Sequence, residues 1–588
     1  MGIIHVDQKS TAKVQDGSVT SPFITIKQAA KIAKPGDTVL VNEGVYREHV
    51  MPECGGEQGK RIIYKAAEFG KVVIKGSNVF TGSYEMHDEM ASIYSVFLAK
   101  EEYGDTFYTP LADTFTIPEH YEDWTEEQQP KMVGGLMHYG DRSKYPTLSL
   151  GQVFVNGENL YEKTNLHALY SVEKAWFFDK LTGMLYVRCD NLMKADNIVE
   201  LTARNRCFAS KKRGLGYITV ERFVFSHCGN QFPASFWNTP ENAQAGAIGT
   251  RSGHHWHIKN NVISHIKCIG VDIGSEIRDC DDIDGIPGVS LDKIRNHVVE
   301  NNRFYDIGAC AITGLGHYNT IVANNYIEKS NSLNFSSPET AGIKFHYCID
   351  ADIYGNTVID SNCDGIWLDN IYTGSKVHHN NLIRCGNSGI FIELGEGPVE
   401  VNHNFVYQTR PGLYGPDPKG SGIYTHDAEG IHMHNNVVSS SAQFGLYLRV
   451  VTNRWCGADN YGENAVMNTA NCLIENNTLL NNNLGEICMP NEGPRAYNNV
   501  CRNNVISENG EMVISGFGDF DEENPEVMER NVVKIIDDYE ERYGEKPKLW
   551  LQNEKCLGII VTQEEFENYY QKLYEVKNKR REQALYEI

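Results

Sequence analysis

The chain has 588 residues, and its 54 lysines and arginines stand against 77 aspartates and glutamates, for a formal net charge of −23. An acidic surface repels phosphate backbones, so we expect no nucleic-acid partner. No apolar run reaches the ~18 residues of a membrane-spanning helix, so we expect no membrane association. The length of the chain suits several domains or one long repeat domain.

The N-terminus and the cysteines bear on the cellular compartment. The first residues, MGIIHVDQKS, contain no basic segment followed by an apolar one, so they predict no secretion signal. The 15 cysteines are scattered, and none of them form a CxxC pair. This distribution favours reduced, buried thiols over a disulfide framework or a structural zinc site. We therefore expect a cytoplasmic protein without a metal centre.

Residues 1–76 predict a helix followed by short strands. Residues 21–33 have an amphipathic helical pattern and precede the turn residues Pro35 and Gly36. Short β-branched runs then predict strands at 38–41, 45–48, 61–65 and 72–75. A helix that covers the first unpaired strands is typical of the start of a β-solenoid. We interpret this part as the N-terminal cap and first coils of a right-handed parallel β-helix.

Residues 77–205 have a different pattern. Asn156-Gly157 and Thr182-Gly183 separate apolar runs, which predicts hairpins over 153–161 and 176–187. We interpret this part as an inserted antiparallel β-sandwich, in which the weakly patterned segment 104–150 is a candidate lid or contact arm. The arm could reach a neighbouring subunit, so we expect a homo-oligomer.

Residues 206–515 contain a repeat in which an asparagine pair, or a close variant of one, precedes a short strand. The second positions are separated by 41, 23, 31, 25, 23, 32, 41 and 27 residues. Intervals of this length predict stacked coils, some of which carry inserted loops, with one Asn above another at a tight bend. The pairs are Asn260-Asn261, Asn301-Asn302, Asn324-Asn325, Gly355-Asn356, Asn380-Asn381, His403-Asn404, Asn435-Asn436, Asn476-Asn477 and Asn503-Asn504.

The last part of the chain, residues 516–588, is more highly charged. Segments 532–543 and 564–585 have helical patterns, so we predict a helical C-terminal extension. The sequence therefore predicts an all-β protein with four parts: the cap and first coils, the inserted sandwich, the coils of 206–515 and this extension.

A second repeat places ionisable residues in a column. Five strands begin with Gly and an aliphatic residue, and alternation points their second and fourth positions inward. The fifth positions, 23, 24, 33 and 23 residues apart, should then stack on one outer face beside the third positions. The fifth positions are His346, Asp369, Glu393, His426 and Arg449. The third positions are Lys344, Trp367, Phe391, Tyr424 and Tyr447.

Rings beside carboxylates are typical of a sugar-binding cleft, so we predict an oligosaccharide substrate. Asp369 and Glu393 lie one coil apart, which predicts a separation of about 5 Å between their carboxyls. Retaining glycosidases hold their two carboxyls about 5–5.5 Å apart, and inverting ones about 6.5–9.5 Å apart. This spacing leaves the roles of the two carboxyls open. A solvated ladder of mutually compensating charges is the alternative interpretation.

The residues around this pair resemble a known family. Gly365-Ile-Trp-Leu-Asp369, Gly374 and Ile392-Glu393 with Gly397-Pro398 resemble the active-site region of glycoside hydrolase family 120, the β-xylosidases. The resemblance spans most of residues 20–440. Further similar stretches are 339–346 (ETAGIKFH), 246–250 (GAIGT), 262–270 (VISHIKCIG) and the N-terminal PGDTVLVNEGVYRE.

The resemblance implies a retaining exo-β-glycosidase that acts on short xylo-oligosaccharides. It implies that Asp369 is the nucleophile and Glu393 the general acid/base, and that Glu339 binds sugar hydroxyls with Lys344 and His346 in the same pocket. Trp367, His426 and Arg449 complete the set of substrate-binding candidates. Alternatively, Glu339 is a solvated loop carboxylate and His346 a surface histidine. Asn370 stands where the family has an aromatic residue.

Two other functions are compatible with the sequence. A calcium-dependent polysaccharide lyase would need a carboxylate cage, and the acidic segment 279–285 is a candidate for it. A non-catalytic carbohydrate-binding solenoid would bind sugar without turnover. We expect no cofactor, although a structural calcium ion stays open. Alternation places His255 and His257 on one face and His254 on the other, too few ligands to predict a metal site.

Overall fold

The structure is a computed structural model. It describes residues 2–111, 131–133, 136–138, 148–190, 192–194, 196–231, 246–276, 289–335, 339–412, 420–450, 467–490, 494–506, 512–515 and 531–532.

The chain winds into a parallel β-helix. Nearly all of its coil strands pair in parallel with the strand one coil further along, as Ile258 does with Val299, and Val299 with Val322. Among the described residues, 25 strands belong to the larger sheet of the coil and 12 to the smaller one. The larger sheet contains Ile3–Val6, Thr38–Val41, Ile62–Ala66, Phe208–Ala209, Ile218–Glu221, Ile248–Gly249, His257–Lys259, Ile269–Asp272, Val298–Glu300, Cys310–Tyr318, Ile321–Ala323, Ala341–Ile349, Asp352–Tyr354, Asp364–Asp369, Lys376–His378, Ser388–Asn402, Ser421–His434, Phe444–Arg449, Thr469–Ala470, Leu473–Glu475, Gly485–Pro490, Ala496–Tyr497, Val500–Arg502, Met512–Ser515 and Asn531–Val532. The smaller sheet contains Gly44–Tyr46, Val72–Lys75, Val224–Ser226, Val262–Ile266, Arg303–Ile307, Tyr326–Ser330, Thr357–Ile359, Asn381–Ile383, Phe405–Tyr407, Val437–Ser439, Thr478–Leu480 and Val505–Ile506.

The core is a continuous apolar stack inside the coil. Alternation along each strand directs every second side chain inward, and registered pairing places like side chains above one another. Ile343 and Phe345, for example, are buried in the main core above the equivalent residues of the next coil, Ile366 and Leu368. Burial of apolar surface therefore fixes the register, because a slip of one residue would turn this row outward.

An asparagine ladder runs along one corner of the coil. The Nδ2 of Asn325 donates to Oδ1 of Asn356 at 3.0 Å and to the carbonyl of Val299 at 2.9 Å. The residue before each ladder position has a positive φ, such as 55° at Asn324 and 54° at His379. In the coil of Asn380-Asn381, the ladder residue is Asn380 and not the second asparagine of the predicted pair. The ladder residues are Asn261, Asn302, Asn325, Asn356, Asn380, Asn404, Asn436, Asn477 and Asn504.

Residues 77–202 leave the coil and form two small sheets around a core of their own. The predicted hairpins are present as antiparallel pairs, but Tyr161 pairs with Ala175 in parallel, so the second sheet is mixed. Their arrangement as a sandwich and the four domain boundaries stay predictions. The first sheet contains Ser77–Val79, Val153–Val155, Glu158–Asn159 and Val199–Thr202. The second contains Glu85–Asp88, Ile93–Phe97, Tyr161–Glu162, Ala175–Asp179 and Met184–Arg188. Lys131–Val133 and Leu136–His138 form a separate pair.

Helices are few in the described part of the chain. The predicted N-terminal helix is present as Ile26–Ile32, and Thr25 caps it in a capping box with Gln28. The others are Lys100–Tyr103 and the 3₁₀ turns His167–Tyr170 and Leu291–Lys293. None of the described helices is both long and apolar enough to cross a membrane. Most of the arm 104–150 and almost all of the tail 516–588 lie outside the described residues, and Val532, the first residue of a predicted helix, lies in a strand.

Candidate active site

The structure brings the ionisable residues of five strands into one column. His346 is the registered neighbour of Asp369, and Asp369 of Glu393. Glu393 in turn is registered with His426, and His426 with Arg449. Since adjacent strands lie about 4.8 Å apart, the two carboxylates are separated by a single strand spacing along the coil axis.

A bend in the backbone follows this column. A residue with positive φ comes directly after four of its members, and such a conformation interrupts the alternation of the strand. The chain therefore changes direction directly after each of these ionisable side chains, although three of the four strands continue beyond the bend. The residues that follow the column are Tyr347 at 64°, Asn370 at 47°, Leu394 at 56° and Asp427 at 49°.

Asp369 lies between two cationic or polar partners. Its Oδ2 accepts a hydrogen bond from Lys344 Nζ at 2.7 Å, and His346 Nδ1 lies 3.1 Å from the same oxygen. Lys344 Nζ also lies 3.3 Å from Glu339 Oε2. The side chain of Lys344 is fully buried, and that of Asp369 is 6% exposed. Three of the predicted site residues therefore surround the nucleophile candidate.

The charges in this cluster stabilise one another. Burial alone would raise the pKa of the Asp369 carboxyl, but the ammonium group of Lys344, and then the imidazole of His346, hold that pKa below its usual value. Burial alone would lower the pKa of Lys344, but Asp369, Glu339 and Glu393 raise it above its usual value. Asp369 is therefore ionised and Lys344 protonated near neutral pH. Two carboxyl groups, those of Asp369 and Glu339, contact this ammonium group.

Glu393 has a separate partner on the far side of the column. His426 Nε2 lies 2.7 Å from Glu393 Oε1, and the two side chains are 9% and 8% exposed. Arg449 follows one coil later and donates to the hydroxyl of Tyr424 at 3.2 Å. The two candidate catalytic carboxyls thus have different neighbours: Asp369 faces an ammonium group, and Glu393 faces an imidazole.

The aromatic residues of the third positions are packed against one another. Trp367 and Phe391 stack with ring centroids 4.8 Å apart, and Lys344 Nζ lies 3.2 Å from the centroid of Trp367. Both faces of the Trp367 ring are therefore in contact with protein, and the residue is 3% exposed. This arrangement differs from the expectation that the ring faces a sugar. Trp367 supports Lys344 from behind through a cation–π contact.

Asn370, which stands where the resembled family has an aromatic residue, contacts the site although the sequence predicted no role for it. Its Nδ2 donates to Nε2 of His346 at 2.8 Å. Because Nε2 accepts this bond, the neutral imidazole carries its proton on Nδ1, which faces Asp369. An asparagine directly after a column position, where a positive φ favours it, is the sequence signal that could have indicated this role.

Metal binding at this cluster meets an obstacle. Glu339, His346 and Asp369 bring candidate ligand atoms within 4.8 Å of one another. However, Lys344 Nζ already lies against two of these carboxylates, so a metal ion would meet a buried positive charge. The acidic segment 279–285, the candidate for a calcium site, lies outside the described residues. His254 and His255 meet at 2.8 Å between their Nδ1 atoms because His255 has a φ of 54°, so the predicted alternation over 254–257 is wrong.

Known proteins support the fold. The family description "Right handed beta helix region" matches residues 245–438. A 70-residue stretch is 36% identical to the uncharacterized protein YwoF of Bacillus subtilis (strain 168), a match that covers 12% of this chain and 15% of that protein. The chain therefore matches only a small part of that curated relative.

Two solved structures share the architecture. The complex of XylC with xylose matches with a TM-score of 0.67 and 22% identity, over 89% of this chain and 87% of XylC. A structure described as a glycoside hydrolase matches with a TM-score of 0.51 and 14% identity, over 76% of this chain and 95% of that one. The right-handed parallel β-helix is thus confirmed, and the resemblance to the family 120 β-xylosidases, to which XylC belongs, is confirmed as a similarity of fold.

Proposed function

We propose that this chain is a retaining exo-β-glycosidase, and specifically a β-xylosidase that acts on short xylo-oligosaccharides. The observation that carries the proposal is the registered pairing of Asp369 with Glu393 on adjacent strands. A strand spacing of about 4.8 Å is near the 5–5.5 Å between the carboxyls of retaining enzymes and well below the 6.5–9.5 Å of inverting ones.

Asp369 is the nucleophile in this proposal. Lys344 and His346 both lie against its Oδ2, which leaves Oδ1 to attack the anomeric carbon. As the new bond between Oδ1 and the anomeric carbon forms, the glycosidic bond breaks and Glu393 gives a proton to the leaving oxygen. In the second step Glu393 takes a proton from a water molecule, which attacks the anomeric carbon and releases Asp369. Two displacements at one carbon retain its configuration.

The charge of the site favours hydrolysis over the lyase alternative. An oxocarbenium-like transition state gains positive charge, and the carboxylates of Asp369 and Glu339 against the one ammonium group of Lys344 stabilise such a charge. The same cluster would repel the carboxylate of an acidic polysaccharide. We assign Glu339, Lys344 and His346 to the sugar that is cleaved, and His426 and Arg449, which follow Glu393 in the column, to the leaving group.

Other features support a small substrate. The side chains of Asp369 and Glu393 are only 6% and 8% exposed. Such a buried pair suits the end of an oligosaccharide better than the middle of a long polysaccharide. The similarity to XylC, whose structure contains xylose, supports a pentose. We also propose a cytoplasmic homo-oligomer that needs no cofactor, to be tested by fractionation, light scattering and assay in the presence of a chelator.

A panel of aryl glycosides tests the activity. The parent protein should cleave the β-xyloside in preference to the arabinoside, glucoside and galactoside. Asp360→Asn is the matched control, since Asp360 is a carboxylate on the same coil that pairs with Arg384 away from the column. An unsaturated product that absorbs in the ultraviolet would establish a lyase instead, and sugar binding without turnover would establish a binding protein.

Azide rescue tests the two roles separately. In Asp369→Ala, azide should restore turnover of the aryl β-glycoside and yield the α-glycosyl azide, because it attacks in place of the carboxylate. In Glu393→Ala, it should yield the β-glycosyl azide, because it attacks the glycosyl-enzyme. Loss of the general acid costs about 10²–10⁴ in rate, most with a poor leaving group. Rescue of neither variant would remove the assignment.

A further inference from the structure

Part of the outer face of the smaller sheet is buried although it points away from the core. In the later strands of this sheet the middle residue, such as Leu382 or Val406, belongs to the core. Alternation therefore turns the residues on either side of it outward. Six outward apolar side chains on five successive strands are nevertheless at most 5% exposed. We call these six residues the covered face: Ile359, Ile383, Phe405, Tyr407, Val437 and Leu480.

The same face of the sheet has a different character in the preceding coils. The outward residues there include Arg303, Tyr305 and Tyr326, and all three are half-buried. From Ile359 onward, most outward positions are apolar and all of them are buried, as far as Leu480. Composition and burial thus change together along the coil. Such a change indicates that another segment begins to cover the sheet at this point.

The coil itself does not supply this cover. In the part of the chain that the structure describes, the elements in extended contact with the five strands of the covered face are other strands of the coil. Those strands lie beside them or across the core, so they bury the inward side chains and not the outward ones. A contiguous apolar surface is rarely left to water. The covering atoms therefore belong to residues beyond the described ones or to another molecule.

The covered face lies on the coils that carry the catalytic column. The strand that ends at Ile359 is followed in the same coil by the strand of Asp369, and the strand that ends at Ile383 is followed by that of Glu393. Registered pairs connect Ile359 to Leu480 through four strand spacings, which is about 19 Å along the coil axis. A segment that covers this face would contact every coil from Asp369 to Arg449.

The C-terminal segment has the length and the pattern for this role. The last described strand, Asn531–Val532, pairs with Met512–Ser515 in the last coil, so the remaining chain starts at that end. The predicted helix over 564–585 would be about 33 Å long at 1.5 Å per residue, which exceeds the length of the covered face. Five apolar or aromatic residues recur at helical spacing and share one side of this helix. They are Phe566, Tyr569, Tyr570, Leu573 and Val576.

We propose that the covered face is the docking surface for residues 564–585 of the same chain, which pack on it as an amphipathic helix. The apolar side of the helix faces the coil, and its charged side faces water. The helix holds together the coils of the catalytic column from the side of the smaller sheet. This docking does not depend on the proposed glycosidase activity. The competing occupants are another segment of the chain, a second copy of it and a separate protein.

Photo-crosslinking in the full-length chain tests the contact directly. Benzoylphenylalanine in place of Tyr407 should attach on irradiation to a residue of 564–585, which mass spectrometry identifies. Benzoylphenylalanine in place of Tyr305 is the matched control, because Tyr305 is an outward but half-buried tyrosine of the same sheet, and it should not attach there. A mixture of ¹⁴N and ¹⁵N chains should give cross-linked peptides of a single isotope. Attachment to another segment or another protein, or peptides of mixed isotope, would overturn the proposal.

Hydrogen exchange in the parent protein tests the docking without any substitution. Amides of residues 566–576 should exchange at least about tenfold more slowly than in a free peptide of the same sequence. Leu573→Glu places a charge on the apolar side of the helix and should remove this protection. Gln571→Glu, on the opposite side, is the matched control and should keep it. Exchange of the parent at the rate of the free peptide, or equal loss of protection in both variants, would contradict the docking.

Discussion

Removal of the buried ammonium group in Lys344→Met tests the electrostatics of the site. Methionine keeps most of the aliphatic part of the side chain but has no terminal ammonium group, so it leaves Asp369 and Glu339 without their shared cation. Breaking a buried ion pair costs about 3–5 kcal/mol, since an uncompensated charge is left in a medium of low polarity. We expect a loss of this size in the free energy of unfolding at neutral pH.

Lys376→Met is the matched control. Lys376 pairs with Glu400 on adjacent strands at 3.8 Å, but its side chain is 52% exposed. An exposed pair is worth about 0–1 kcal/mol, so the same substitution should change stability little there. Urea unfolding of both variants, followed by circular dichroism, measures the difference.

The pH profile of Lys344→Met should also change. In the parent, Lys344 holds the pKa of Asp369 below the usual 3.8, so that carboxylate stabilises the fold above pH 3.8 and loses its contribution as pH falls. Without the ammonium group the pKa of Asp369 rises, so the acidic limb of the profile of kcat against pH should shift to higher pH. An unchanged acidic limb, or a stability equal to that of Lys376→Met, would refute the electrostatic argument.

Three other substitutions examine separate parts of the structure. Asn370→Asp would place a carboxylate at Nε2 of His346 while Asp369 faces Nδ1, so both ring nitrogens should be protonated. The imidazolium would hold the nucleophile more tightly and lower kcat by about tenfold, equivalent to ~1.4 kcal/mol, with KM little changed. Equal kinetics would show that Asn370 does not orient His346. His317→Leu should make the free energy of unfolding less sensitive to acid. Burial lowers the pKa of His317 from 6.5 to about 3 in the folded protein. The parent therefore loses stability as pH falls from 6.5 towards 3, by up to about 1.4 kcal/mol per pH unit. Melting curves of parent and variant across that range should diverge, and parallel curves would exclude His317 as the cause. Asn356→Ala should cost about 2–4 kcal/mol in urea unfolding, because it leaves ladder donors and acceptors buried without partners. Asn362→Ala removes a solvent-exposed hydrogen bond to Asn334 and should cost less than about 1 kcal/mol. Equal effects would contradict the role of the ladder.

The repeat in the sequence was sufficient to predict the coil. Glycine and aliphatic residues at fixed positions, with alternation along each strand, place Asp369 beside Glu393 through backbone geometry alone. The predicted strands Thr38–Val41 and Val72–Lys75 have the bounds that the structure shows. Such features follow from local patterns and from the burial of one face, which a single sequence records well.

Features that depend on side-chain packing could not be predicted in the same way. The ladder uses Asn380 and not Asn381, because His379 takes the left-handed position that the pair pattern assigned to an asparagine. Trp367 packs behind the carboxylates because Lys344 and Phe391 cover its two faces.

The hydrogen bond from Asn370 to His346 depends on a positive φ after the column, which alternation does not indicate. The same is true of the contact between His254 and His255. In both cases a left-handed residue turns a side chain away from the face that alternation assigns to it. The helical tail, the sandwich and the calcium site stay predictions.

The stereochemistry of hydrolysis tests the central claim most directly. Proton NMR of an aryl β-xyloside reaction, recorded before mutarotation, identifies the first anomer of the released sugar. A single strand spacing between Asp369 and Glu393 predicts that β-xylose appears first. Initial release of the α anomer would contradict the account, since it would require a water molecule between the two carboxyls.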